Sequence, residues 1–228
     1  THSYSSAASD VYKRQTYPVM GYVETLEACL SHPHYKAPLK KLQGRGYASG
    51  FWFNAGGESS AQVNITEDGN VVVTTGHPDI GGSRASIANI TAELLGIDVN
   101  RVSVLIGDTA SIGFSNLTGG SRVLFASALV VTESTNQVID ILKDRASKIW
   151  NIDKEAIEWE NGEARPAGDN AGKFKPLSLV ELAEQATPTG GPIGAGHQVN
   201  TVGAEGGFAT HICDVEVDIE LGIARVIR

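Results

Sequence analysis

The 228-residue chain has 26 acidic and 18 basic residues, which give a formal charge of −8, and 41% of its residues are apolar. This length and apolar content suffice for one large or two small hydrophobic cores, so we expect a folded globular protein. The negative charge and the lack of a Lys/Arg run argue against nucleic acid or an anionic membrane as a partner. No stretch reaches the roughly 18 consecutive apolar residues of a transmembrane helix.

The two cysteines, Cys29 and Cys213, lie far apart in the sequence. They are too few for an iron–sulfur cluster, which needs about four thiolates, and they lack the paired spacing of a zinc ribbon. We therefore expect reduced structural thiols in a cytoplasmic protein.

The two ends of the chain differ from its middle. Residues 1–15 are rich in Ser and Ala and have no period that would bury one face, so we expect a non-native or disordered arm. The chain stops within the strand-like run 223–228. We expect residues 16–228 to form one partial domain that is truncated at both ends.

The first half of this domain begins with a short helical spacing from Val23 to Leu30, before the helix breakers His32 and Pro33. Further on, β-rich runs cover residues 47–53, 61–66 and 71–75, and a turn at 67–70 joins the last two. This pattern predicts an antiparallel hairpin.

The second half alternates helices and strands. Apolar residues from Ile87 to Leu95 share one helical face, and Gly96 follows as a stop signal. Next come a buried strand at 102–106, a long helix at about 121–150, a hairpin around Asn161-Gly162 and a short helix capped by Ser178. A final hairpin pairs 210–217 with 223–228, whereas the Gly/Pro-rich stretch 187–207 contains no predicted element. Without regular βαβ repetition, this order favours an α+β fold: a mixed or antiparallel sheet packed with one long and two or three shorter helices.

Two glycine-rich loops precede helices. The first, at residues 76–84, has the sequence GHPDIGGSR, and the second, at residues 116–122, has the sequence NLTGGSR. Glycines permit close approach of the backbone to a ligand, and the free amides of a first helical turn attract anions. An ordinary strand-to-helix turn with a serine cap explains either loop alone, but the repeated pattern suggests that both loops face one phosphate-bearing ligand. We expect the amides of Gly82 and Gly120 to face a common cleft.

Arg122 stands in the first turn of the predicted long helix. A cation there opposes the positive end of the helix dipole unless an anion lies nearby. We therefore expect Arg122 to lie near an anionic group of the ligand. The alternative is that Arg122 pairs with Asp79 or Asp108 and ties the loops together.

Other nucleotide and catalytic motifs do not fit. No Gly-Lys-Ser/Thr of a Walker A loop is present, and Gly44, Gly46 and Gly50 lack the Rossmann spacing. There is no Gly-x-Ser-x-Gly of a hydrolase, and the alternating acids Asp214, Glu216 and Asp218 fit a solvated strand face.

Taken in order, these motifs resemble the molybdenum subunit of the xanthine dehydrogenase/aldehyde oxidase family. The similar segments are residues 76–83, 92–97, 107–109, 118–122 and 207–218, and together they span about residues 20–228. The resemblance implies a molybdenum hydroxylase that oxidises a small aldehyde or N-heterocycle. It also implies a molybdopterin cofactor, in simple or dinucleotide form, and electron transfer to iron–sulfur and FAD subunits or domains.

The resemblance also assigns residues to the site. Phe51 and Trp52 would border the substrate funnel, with core packing as the alternative. The residues expected to hold the cofactor are Gly81, Gly82, Ser83, Arg84, Thr118, Gly119, Gly120, Ser121 and Arg122.

The sequence departs from the family in several places. Ile80-Gly81-Gly82 replaces a Gly-Gln-Gly whose glutamine contacts the cofactor, so that side-chain contact is lost. The catalytic glutamate of the family would lie beyond the end of this chain, and Glu205 precedes the matching strand and is a poor substitute. We therefore assign no catalytic residue or metal ligand here, and we expect the isolated piece to bind no cofactor and to be inactive.

Two functions remain open at this stage. The first is a fragment of the cofactor site of an enzyme, whose partners would be the remainder of the molybdenum subunit and other copies of the chain paired through its truncated surfaces. The second is a non-catalytic binding or assembly module of the same fold, in which the glycine loops are only turns.

Overall fold

A computed structural model describes residues 21–202 and 207–228, which form two compact units. The first unit contains the described residues up to Asn54 together with residues 207–228, and the second contains residues 55–202. The predicted arm at 1–15 lies outside the described residues. The architecture is α+β, as predicted.

The first unit is a three-stranded antiparallel sheet with two helices. Strand β9 lies in the centre, and its register with β1 runs from Gln43↔Glu216 to Trp52↔Gly207. Pro33 begins a second helix as its first residue, a position that proline tolerates, so the chain does not simply break there as predicted. The elements are α1 (Tyr22–Ser31), α2 (Pro33–Lys36), β1 (Gln43–Trp52), β9 (Gly207–Asp218) and β10 (Ile223–Val226).

A buried carboxylate organises this unit. Asp214 is 1% exposed, and its two oxygens accept hydrogen bonds from the guanidinium of Arg45 at 2.6 and 2.9 Å. Arg228 donates at 2.7 Å, and Nε2 of His34 lies 3.0 Å away. These partners hold the pKa of Asp214 well below its usual range, with the Arg45 hydrogen bonds as the largest cause. Asp214 is thus part of a structural ion cluster rather than the solvated strand face predicted.

The second unit contains the main core. Its four-stranded sheet has the order β4-β3-β2-β8, in which β3 and β4 are parallel and the other pairs antiparallel. A small antiparallel sheet, β5-β6-β7, follows the long helix. The strands are β2 (Gly57–Ile65), β3 (Val71–Thr75), β4 (Val102–Ile106), β5 (Ile157–Glu160), β6 (Glu163–Pro166), β7 (Leu177–Ser178) and β8 (Ile193–Thr201). The helices are α3 (Ser83–Leu95), α4 (Thr109–Ile112), α5 (Arg122–Trp150), α6 (Leu179–Glu184) and α7 (Ala186–Thr189).

The helices α3 and α5 cover one face of the four-stranded sheet. Val63 and Val73 point into this interface and are fully buried, as are Leu95, Val130 and Leu142 of the two helices. Alternation with period two in the strands and period 3.6 in the helices places these side chains on facing surfaces. The core therefore fixes where both helices begin, and hence where the two glycine loops lie.

Strand β8 was not predicted. It lies within the Gly/Pro-rich stretch and pairs with β2 along its full length, from Gly57↔Thr201 to Ile65↔Ile193. A Cβ on Gly194 or Gly196 would lie 2.2 Å from the side-chain oxygen of Asn64 or Gln62, respectively. The glycines therefore give room to neighbouring amide side chains on the sheet, and they do not break the strand.

Candidate functional site

The first glycine loop joins β3 to α3. Gly81 and Gly82 have φ angles of 65° and 78°, in the left-handed region that favours glycine, and an added Cβ at either would meet open space. The N-cap residue of helix α3 is Gly82, which has no side chain, and the carboxylate of Asp79 accepts from the amide of Arg84 in the first turn. Among the described residues, no side chain accepts from the amides of Ser83 and Ala85, so these two amides are available to an anion.

Ser83 and Arg84 already have protein partners. The Ser83 hydroxyl donates to the carbonyl of Pro78 at 3.2 Å, and the Arg84 amide donates to a carboxylate oxygen of Asp79 at 3.1 Å. The Arg84 guanidinium donates to the carbonyl of Val104, on the edge strand β4, at 2.9 and 3.2 Å. In this loop the open donors are thus backbone amides rather than side chains.

The second glycine loop leads into α5. Gly120 and the N-cap residue Ser121 both have left-handed backbones, with φ of 59° and 58°, and Ser121 does not cap the helix with its side chain. Large apolar side chains are exposed around the loops: Leu117 is 70% exposed, Phe114 59% and Ile80 54%. Each loop thus ends in an N-cap residue that makes no side-chain cap, and exposed apolar side chains lie around both loops.

Arg122 has a different role from the one predicted. It is 2% exposed, and its guanidinium donates five hydrogen bonds, all to protein oxygens. The acceptors are the carbonyls of Gly56, Glu58, Asn116 and Leu117 and the hydroxyl of Ser59. Because all five N–H groups are used, its side chain is not free for a cofactor anion. The predicted alternative partners, Asp79 and Asp108, instead accept hydrogen bonds from backbone amides of their own loops.

A buried pair that the sequence analysis missed joins the loops. Ser59 and His77 are each 1% exposed, and the Ser59 hydroxyl lies 2.8 Å from Nε2 of His77. Burial, together with the nearby charge of Arg122, lowers the pKa of His77 to about 4, so the ring is neutral near pH 7. The available signal was the pair Ser59 and Ser60 at the start of β2, whose other buried residues are apolar. The hydrogen-bond partners of Ser59 are distant in sequence.

The two loops lie side by side. A Cβ on Gly76, in the first loop, would lie 2.9 Å from the hydroxyl of Ser115, just before the second. The hydrogen bonds of Ser59 to His77 and Arg122 join the same segments. Both loops therefore reach the same edge of the four-stranded sheet, and whether the Gly82 and Gly120 amides share one cleft stays a prediction.

A groove of about 770 Å³ lies between the C-terminal end of α4 and the strands β2 and β8. Residues 111–113 form one wall, and the polar side chains of Gln62, Asn64 and Gln198 line the floor. The sequence analysis did not predict this groove.

Phe51 and Trp52, the predicted funnel residues, lie at the end of β1 in the first unit. They are 56% and 60% exposed, which argues against the core-packing alternative. Phe51 stacks on Phe208 of the paired strand with ring centroids 5.8 Å apart. Their role toward a substrate stays a prediction.

Two further properties concern the described part of the chain. Within residues 21–202 and 207–228, no group of three or more His, Cys, Asp or Glu side chains is arranged to hold a metal ion. No described helix combines the length and apolar character needed to cross a membrane. Glu205 lies outside the described residues.

Comparison with known families decides what kind of domain this is. The model of the molybdopterin cofactor-binding domain matches residues 31–228. The chain belongs to this family. The resemblance predicted from the loop motifs is therefore confirmed at the level of the family.

Individual relatives agree with this. The molybdenum-binding subunit PaoC of an aldehyde oxidoreductase from Escherichia coli is 28% identical over 188 residues, which cover 82% of this chain and 24% of that protein. The fold is similar to that of quinoline 2-oxidoreductase from Pseudomonas putida, with a TM-score of 0.77 and 21% identity, over 93% of this chain and 30% of that chain. It is also similar to that of CO dehydrogenase from Oligotropha carboxidovorans, with a TM-score of 0.71 and 19% identity, over 90% and 27% of the two chains. The chain thus spans about a quarter of the length of the curated relatives it matches.

Proposed function

We propose that this chain supplies part of the molybdopterin site of a larger molybdenum-dependent oxidoreductase. The observation that carries the proposal is the pair of adjacent glycine loops, each leading into a helix whose N-cap residue makes no side-chain cap, within a domain of the molybdopterin-binding family. Each loop brings helix amides and backbone without side-chain bulk to one edge of the sheet. This is a donor set that suits the phosphate and polar edge of a pterin.

The residues present fit the cofactor in part. A Cβ at Gly81 or Gly82 would meet open space, so a ligand could approach the backbone there, and the Gly119–Ser121 backbone with the Thr118 hydroxyl would provide the second set of contacts. Ser83 would contribute its backbone amide, while Arg84 and Arg122 would act through the loop geometry that their guanidinium groups stabilise. When bound, the cofactor would supply the two-electron redox chemistry of a hydroxylation.

The substrate, the partners and the location follow from the family resemblance. We infer a small aldehyde or N-heterocycle as substrate, iron–sulfur and FAD subunits or domains as electron acceptors, and a cytoplasmic location. Exposed apolar residues such as Val226, at 72%, and Leu117, at 70%, would be covered by the remainder of the subunit or by another copy of this chain. Whether the cofactor carries a nucleotide would depend on binding-site residues outside this chain.

The test uses the complete subunit encoded at the locus, purified with its companion subunits. Gly82→Leu should lower its molybdenum and pterin content because the side chain would occupy the space in front of the α3 amides. Gly172→Leu is the matched control, since Gly172 has a similar φ of 76° and the same open surroundings. Equal cofactor content in the two variants would contradict the placement of the cofactor.

The alternative, a non-catalytic binding module, makes a different genomic prediction. A downstream glutamate motif, with adjacent reading frames for iron–sulfur and flavin proteins, supports the enzyme. A stop codon soon after Arg228 and no such neighbours would support the module.

A further inference from the structure

Ser59 lies between the two glycine loops. Its hydroxyl oxygen is 2.8 Å from Nε2 of His77, in the first loop, and 3.1 Å from Nη2 of Arg122, beside the second. None of the three residues is more than 2% exposed. Bulk water therefore does not compete for these hydrogen bonds.

The chemistry of the three groups fixes the direction of both hydrogen bonds. A guanidinium only donates, so the Ser59 oxygen accepts from Arg122. The hydroxyl proton of Ser59 is buried and needs an acceptor, and Nε2 of His77 is in range to accept it. His77 then carries its single proton on Nδ1, in agreement with the neutral ring that its low pKa implies.

We propose that Ser59 is a positioning residue that couples the two glycine loops through a directed relay from Arg122 to Ser59 to His77. Arg122 holds the carbonyls of Asn116 and Leu117, and His77 stands five residues before Gly82. A displacement of either loop therefore changes the hydrogen bonds of the other. The consequence for cofactor binding rests on the proposed function, whereas the coupling is a property of the chain alone.

The first test is nitrogen NMR of the imidazole of His77 in the unaltered chain near neutral pH. The ¹⁵N shifts separate the two neutral tautomers and the charged ring. The relay requires a neutral ring with the proton on Nδ1. A proton on Nε2, or a doubly protonated ring, would overturn the relay.

The second test measures amide hydrogen exchange in residues 76–84 and 116–122 of three variants. Ser59→Ala should accelerate exchange about tenfold in both loops, and Ser59→Thr, which retains the hydroxyl, should restore most of the protection. Ser134→Ala is the matched control because Ser134 is also fully buried, but its hydroxyl bonds only the carbonyls of Val130 and Ala61.

An effect confined to one loop, or an equal effect of Ser134→Ala on both, would refute the coupling. If Ser59→Ala does not fold, the NMR measurement on the unaltered chain still decides the direction of the relay. Neither test involves the cofactor. Failure of cofactor binding in the Gly82→Leu experiment and failure of the coupling are therefore separate results.

Discussion

The two glycine loops share a sequence pattern but differ in what their arginines do. Both have two glycines, a serine and an arginine at the start of a helix. Arg84 is exposed and its guanidinium reaches one carbonyl, that of Val104, whereas Arg122 is buried and its guanidinium has five acceptors. The local pattern determines the backbone conformation of each loop, but the role of each arginine depends on the segments that pack against it.

The largest expected effect separates these arginines. Arg122→Ala leaves four partly buried carbonyl hydrogen bonds and the buried Ser59 hydroxyl without their donor, so we expect a loss of about 3–5 kcal/mol in the free energy of unfolding. Arg84→Ala should cost less than about 1 kcal/mol because one exposed group is lost. Urea unfolding of the chain at low salt measures both values. Equal effects, or a neutral Arg122→Ala, would show that the buried guanidinium does not stabilise the second loop.

The next effect is the pH dependence that His77 adds to the first loop. Its pKa is about 4 in the folded chain against 6.5 for the free side chain, so the unfolded state binds the additional proton between these values. Its contribution to stability is complete above about pH 6.5, falls as the pH decreases through this window, and amounts to about 3 kcal/mol in total. Burial of the charged ring is the larger physical cause, and the nearby charge of Arg122 is the smaller one.

Unfolding free energies of the unaltered chain and of His77→Gln, measured from pH 7.5 to pH 4, check this value. Glutamine does not titrate, so the difference between the two curves isolates His77. Asp214 loses its stabilising contribution only as the pH falls below its unfolded value of 3.8, outside this window. A difference curve without slope between pH 6.5 and pH 4 would contradict the neutral, buried histidine.

Elements that depend on local patterns were predictable. Helix α3 with its stop at Gly96, the long helix α5 and the capping box of Ser178 and Glu181 all agree with the structure. Each follows from periodicity or from a cap within a few residues. Elements that depend on distant partners were missed.

Strand β8 and the five acceptors of Arg122 are the two clearest failures. The glycines of β8 suggested a loop. In the structure they make room for the side-chain amides of Gln62 and Asn64, and this role is visible only when β2 is known to pair with β8. The acceptors of Arg122 likewise come partly from a segment more than 60 residues away. Both failures arise from tertiary contacts that a local pattern does not encode.

The smallest expected effects compare two glycines of the first loop. An alanine at Gly76 would place its Cβ 2.9 Å from the hydroxyl oxygen and 3.1 Å from the Cβ of Ser115, so one loop must shift away from the other. Such overpacking costs about 1–3 kcal/mol. An alanine at Gly82 would meet open space. Its one unfavourable feature is the left-handed backbone conformation, with φ of 78°, which costs a residue other than glycine about 1 kcal/mol. Thermal or urea unfolding of the two variants measures the difference in their stability. The double variant Gly76→Ala,Ser115→Gly should recover part of the stability lost in Gly76→Ala, because it removes the opposing side chain of Ser115. No recovery in that double variant would mean that Gly76 is required for its own backbone conformation rather than for the close contact between the two loops.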